Sequence, residues 1–169
     1  MAIDKITTAS ITSGVLPVNT PCFFASSSSD QTINQNTWTK LTFSNEVYDV
    51  GGVYDHSTNY RFTPGFSGKS NISAGLWTYD AQSAFFRVDL RLYKNGSYIV
   101  NREQRYTSSN TTVERQAASF NVTIEHDDND YFEMFGLHRT TDSGSAVILV
   151  GSGNNAIFDN YFTAFKIIE

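Results

Sequence analysis

The alternation in "FFRVDLRLYKNGS", residues 85–97, limits the fold of this chain more than any other feature. Phe86, Val88, Leu90 and Leu92 are interleaved with Arg87, Asp89 and Arg91, a period of two that places the apolar set on one face of an extended strand. Asn95-Gly96 follows at once, the dipeptide a tight hairpin favours because both turn positions need positive φ. A second run repeats the pattern, with Ala118, Phe120, Val122 and Ile124 alternating with Ser119, Asn121, Thr123 and Glu125. No segment carries a long amphipathic helical period. Short strands with closely spaced turn signals predict an all-β sandwich, barrel or jelly roll.

Two later segments, "DYFEMFGL" at 130–137 and "NYFTAFKII" at 160–168, are apolar at nearly every position. That pattern predicts strands covered on both faces, by the opposing sheet on one side and by another subunit on the other. Phe132, Phe135, Tyr161, Phe162 and Phe165 are therefore assigned to the core or a subunit interface, because large apolar side chains supply most of the burial energy.

A chain of 169 residues is long enough for one domain to bury a core without staples. The boundaries expected are an extended N-terminal arm over 1–19, whose small polar and β-branched residues show no sustained period, and a folded domain over 20–169. The single cysteine, Cys22, has no partner for an intramolecular disulfide and reads as a small buried residue at the start of the first strand. A net charge of −5 argues against a phosphate-binding surface and so against nucleic acid as a partner. No apolar run has the length of a membrane helix, and the first thirty residues do not have the pattern of a secretory leader.

The stretch "GGVYDHSTNYRFTPGFSGK", residues 51–69, reads as a glycine turn, a strand, a polar turn and a second strand, after which Pro64 bars a central strand position and Gly65 and Gly68 bracket a corner. At these residues the chain resembles the globular-head domain of complement component one, subcomponent q. The resemblance is carried by Tyr54-Asp55, Ser57-Thr58, Arg61-Phe62-Thr63-Pro64 and Gly68, then by "LRLYKNGS" at 90–97, "FNVTIEHDDNDYFEMF" at 120–135 and "NYFTAFKII" at 160–168, in the family's order. It departs at Lys69 and Asn71, at Asn129-Asp130 in place of Gly-Asp, and at Thr163-Ala164 in place of Ser-Gly, and it lacks the collagen-like Gly-X-Y stalk. The resemblance implies a ten-stranded jelly roll of the tumour-necrosis-factor type, two antiparallel sheets in a sandwich, that assembles as a homotrimer. The leader "IDKITTASITSGV" resembles segments that precede fibre tips in bacteriophage tail proteins.

Catalytic constellations fare poorly. Asp55, His56 and Ser57 are consecutive, so neighbouring side chains point to opposite faces and cannot form a relay. His56, His126 and His138 have no metal-ligand spacing. The acidic turn at 125–130 offers Asp127, Asp128 and Asp130 as hard oxygen ligands for calcium, outside any EF-hand spacing, against the plainer reading of a solvated turn. No glycine-rich phosphate loop is present, and no cofactor is expected.

The expectation is a non-enzymatic virion-surface protein: a homotrimeric fibre or spike tip module that binds a host-surface glycan or protein, attached to another virion protein through its N-terminal arm, with no nucleic-acid partner and no membrane insertion. A capsid or tail decoration knob with a purely structural role, or a secreted bacterial lectin-like adhesive domain, are the alternatives. If both ends of the domain lie at its base, the loops near 26–36, 78–84, 105–113 and 151–158 gather at the far end. Their Ser, Thr, Asn and Tyr content suits hydrogen bonding to a ligand, and Tyr79, Tyr106 and Asn154 are the contact residues expected there.

Overall fold

The computed structural model describes residues 19–80, 85–105, 115–141, 147–149 and 159–168. Within them run thirteen strands: β1 (Cys22–Ser26), β2 (Gln31–Ile33), β3 (Thr39–Lys40), β4 (Asn45–Val50), β5 (Tyr54–Asp55), β6 (Arg61–Phe62), β7 (Gly68–Tyr79), β8 (Phe85–Lys94), β9 (Ser97–Arg105), β10 (Arg115–His126), β11 (Phe132–Thr140), β12 (Val147–Leu149) and β13 (Tyr161–Lys166). Five of them are only two or three residues long, which accounts for the excess over the ten strands expected. The leader lies outside the described residues, apart from Asn19.

The strands pair antiparallel into two sheets. In the seven-stranded sheet β10 pairs with one edge of β7, while the other edge carries β13, β1 and β4 in succession and, further along, β12 and β2. The six-stranded sheet runs β5-β6-β11-β8-β9, with β3 also on β11. Between them lies one aromatic-rich core. Phe23 stacks on Tyr54 with centroids 4.6 Å apart and meets Phe162 edge-on at 5.0 Å, and Phe62 stacks on Phe132 at 5.8 Å. Phe23, Phe43, Phe132 and Phe162 are fully buried.

Period two decides which residues enter this core. In β8 Val88, Leu90 and Leu92 are buried, and in β10 Ala118 and Phe120 are, while Ser119, Asn121, Thr123 and Glu125 are exposed. The hairpin between β8 and β9 turns at Asn95 (φ 51°) and Gly96 (φ 78°), both positive as that turn demands. Asp89 departs from the pattern. It points away from the core yet is fully buried, beneath its neighbours on the outer face of the six-stranded sheet.

The two apolar segments belong to different sheets, so no single neighbour covers both. Parity turns Phe132 of β11 and Phe162 of β13 into the core; Tyr161 and Phe165 face outward from the seven-stranded sheet, and Phe135 faces outward from the other. Instead of joining core or aromatic face, Phe135 is half-buried against Tyr93, at 4.4 Å between centroids. Cys22 is likewise only half-buried, because it has the outward parity of Phe24.

Register fixes which end is which. Cys22 pairs with Phe165, Phe165 with Asn71, and the Lys166 N–H donates to the Pro21 carbonyl at 3.1 Å. The chain thus enters and leaves the domain at one end, its base. The 51–69 stretch lines that end: Gly51, at φ 114°, lies so close to Pro21 that a Cβ there would sit 2.8 Å from the proline Cβ. A hollow of about 610 Å³ opens beside it between Pro21, Val50, Gly52, Pro64 and Phe66.

Candidate interaction face

The outer face of the seven-stranded sheet has two unlike halves. On the β4-β1-β13 side the outward residues are bulky: Phe24 stacks on Tyr161 (5.8 Å, interplanar 9°) and meets Tyr48 at 6.2 Å. Tyr48 is 47%, Val50 48% and Phe165 37% exposed, a run of apolar surface without a described partner. Exposed apolar residues are ordinary singly; a contiguous aromatic group on a regular sheet marks a contact surface.

Past β13 the outward residues of the middle rungs are small and neutral, flanked by Trp77, Tyr79 and Arg115 at one end and by Lys69 and Glu125 at the other. Thr163 pairs with Ser73 and Ser73 with Asn121, and Tyr161 pairs with Gly75 and Gly75 with Ser119. The Tyr161 ring occupies the space a side chain at position 75 would need, and beside it Gly75, Trp77, Ala117, Ser119, Asp159 and Tyr161 frame a hollow of about 250 Å³. Four polar side chains of these rungs are already satisfied within the sheet. The Asn71 and Asn121 amides bond each other reciprocally at 3.0 and 2.8 Å, Ser73 Oγ donates to the Phe120 carbonyl at 3.1 Å, and Thr163 Oγ1 donates to the Phe23 carbonyl at 2.6 Å. Covering the face would strand none of these groups, which removes the main penalty for burying polar surface.

At the base the acidic turn is tied down. Asp130 accepts from Lys94 Nζ at 2.7 Å, Asn95 Nδ2 at 2.6 Å and the Asp127 N–H at 2.7 Å, and the lysine foremost holds its carboxyl down at about 2. These contacts fasten the β8–β9 hairpin to the turn. Among the described residues no group of three or more His, Cys, Asp and Glu is placed to hold a metal; Asp127 and Asp128 share the turn with Asp130, whose oxygens already serve the hairpin. The histidines are also separate: His56 Nδ1 lies 2.8 Å from Glu46, His126 Nε2 2.8 Å from Ser70 Oγ and His138 Nε2 2.8 Å from the Ile33 carbonyl. Asp55 spends its oxygens on the N–H groups of Ser57, Thr58 and Asn59, which fold the turn and hold its carboxyl far below the usual range.

The far end carries the remaining candidates. From the base, β1 and β7 run outward to Ser26 and Tyr79, and β10 and β13 start their return at Arg115 and Tyr161. Tyr79 is half-buried, with the Arg115 guanidinium 5.6 Å from its ring and 5.3 Å from that of Trp77. Tyr106 and Asn154 lie outside the described residues.

No protein-family model matches the chain, and no curated protein matches its sequence. Solved structures do match its fold. The globular domain of zebrafish complement 1qA protein aligns over 88% of this chain and 98% of its own, at TM-score 0.55 and 13% identity. Murine APRIL at pH 5.0 aligns over 86% and 98%, at TM-score 0.61 and 8% identity, and Eiger TNF from S. frugiperda over 88% and 91%, at TM-score 0.57 and 6% identity. The fold is the jelly roll of the globular-head and tumour-necrosis-factor type, as the four sequence motifs led us to expect.

Proposed function

We propose that this chain is a non-enzymatic binding module, a homotrimeric tip on a virion fibre or spike that contacts a host-surface glycan or protein. The observation that carries the reading is the outward aromatic group Tyr48, Phe24, Tyr161 and Phe165, next to rungs whose Asn71, Asn121, Ser73 and Thr163 are satisfied within the sheet. A bulky half beside a band of small residues on one face suits a head-to-tail contact between copies, which closes into a ring when the rotation allows.

Other features agree with a tip. Entry and exit at the base leave the opposite end free for a ligand, and the leader preceding the domain supplies a tether to another virion protein. The groups an active site would draw on are committed to structure: Asp55 to a turn, His126 to Ser70 and His138 to a backbone carbonyl. The test is saturable binding of labelled protein to a panel of bacterial cells and their isolated surface polysaccharides. Competed binding to one strain or glycan supports the tip; uniform absence of binding by intact trimer leaves a structural knob.

A further inference from the structure

The seven arginines of the chain are unevenly placed. Four of them, Arg87, Arg91, Arg105 and Arg139, project from the outer face of the six-stranded sheet. Arg139 pairs across the ladder with Arg87, and Arg87 with Arg105, so three guanidinium side chains stand in one row across β11, β8 and β9. Like charges directly opposite one another destabilise a sheet. The adjoining row is Leu137, Asp89 and Glu103, and its two carboxylates offset only part of the charge. Arg87 donates to Asp89 at 2.6 Å and to Glu103 at 2.8 Å, and Arg105 also pairs with Glu103. Arg139 is exposed, near enough to Glu103 to act on its carboxyl by charge alone.

The charge left over is positive, on a chain whose net charge is −5. Asp89 is fully buried and engaged by Arg87, so the carboxylate that reaches the surface of this patch is that of Glu103. One row away the Arg91 guanidinium is held between Trp38 (3.8 Å) and Tyr98 (4.1 Å), with its Nε on Asn101 at 2.9 Å. Tyr98 is 57% exposed. The patch thus sets an aromatic surface, on which a sugar ring can stack, beside guanidinium groups that match carboxylates. Its arginine row stands at the far end of the sheet, since Arg105 ends β9 and Arg139 is the penultimate residue of β11, and the stack extends it towards the β8–β9 hairpin.

We infer that the arginine row Arg139-Arg87-Arg105, with the Trp38-Arg91-Tyr98 stack, is a binding surface for an acidic polysaccharide bearing carboxylates along its chain. Adjacent strands are about 4.8 Å apart, which puts the outer arginines about 10 Å apart, a reach suited to successive acidic sugars. Nucleic acid is less suited, because its affinity grows with many phosphate contacts and this patch is small on an acidic protein. The inference rests on the proposed function in taking a surface glycan as the ligand.

The test is titration of the full chain with polygalacturonate, with dextran as the neutral polymer and oligo-dT as the phosphate polymer, at low and high salt. Polygalacturonate should bind, weaken as salt screens the charges, and weaken about tenfold in Arg139→Gln, the loss of one charge-assisted contact. Glu103→Gln should tighten it. Arg139→Gln changes an exposed side chain, so its folding is not at issue. Equal affinity for dextran, preference for oligo-dT, indifference to Arg139→Gln, or no binding would each overturn the inference. Attachment to cells without polygalacturonate binding would retire this surface while leaving the tip standing, whereas attachment to no cell would count against the tip itself.

Discussion

The ring of Tyr161 lies over Gly75, its register partner across the β13–β7 ladder, so closely that a Cβ on Gly75 would sit 2.5 Å from Tyr161 Cε1. Glycine at 75 is what lets the tyrosine lie flat and stack on Phe24. Gly75→Ala should push the ring outward, costing the fold about 1–3 kcal/mol as a small overpacking and lowering Tm by several degrees. Self-association should suffer more than Tm does. Sedimentation run beside thermal melts separates the two; equal losses in both would mean the ring serves only the fold.

Tyr48 and Phe165 are largely outside the core, so the double change Tyr48→Ser and Phe165→Ser should leave circular dichroism unchanged and weaken association by at least tenfold. Large apolar anchors dominate interface energy when buried by a partner. A double variant that associates as tightly as the parent would show that another surface joins the copies.

Phe162 is the opposite case. It is fully buried against Phe23, Tyr54 and Phe43, and Phe162→Ala should cost about 3–5 kcal/mol, read as a fall in the denaturant midpoint. A loss under about 1 kcal/mol would contradict the core described here.

Acid stability should depend on the base turn. The folded-state pKa of Asp130 is lowered, first by Lys94, to about 2 from an ordinary 3.8. A depressed carboxyl contributes its stability in full above the unfolded value and loses it as pH falls through the folded one. The gap in stability between the parent and Asp130→Asn should therefore be widest above pH 4 and shrink towards pH 2, followed by urea unfolding at each pH. A gap constant across that window would mean that the charge of Asp130 contributes nothing.

How far these features could be read from the sequence follows from what a pattern of period two contains. It names the two faces of a strand, so the inward set of β8 and β10 and the Asn95-Gly96 turn were legible. It does not name neighbours across strands, because pairing joins residues far apart in the chain. Phe135 and Phe165 look alike in sequence yet emerge on different sheets. The arginine row is invisible for the same reason, since Arg87, Arg105 and Arg139 become neighbours only through two ladders. The burial of Asp89 was missed because alternation predicts the face a residue points to and not what covers it there. The mutual satisfaction of Asn71 and Asn121 escaped as well, although both stand at outward positions of runs read as strands.

The account turns on the aromatic face of the seven-stranded sheet being covered by other copies of this chain. Sedimentation equilibrium of the full chain across the micromolar range measures that directly. The account predicts one species at three times the chain mass of 18.9 kDa, persisting on dilution. A stable species at 18.9 kDa would contradict it and leave Tyr48, Val50 and Phe165 as a surface for some other partner.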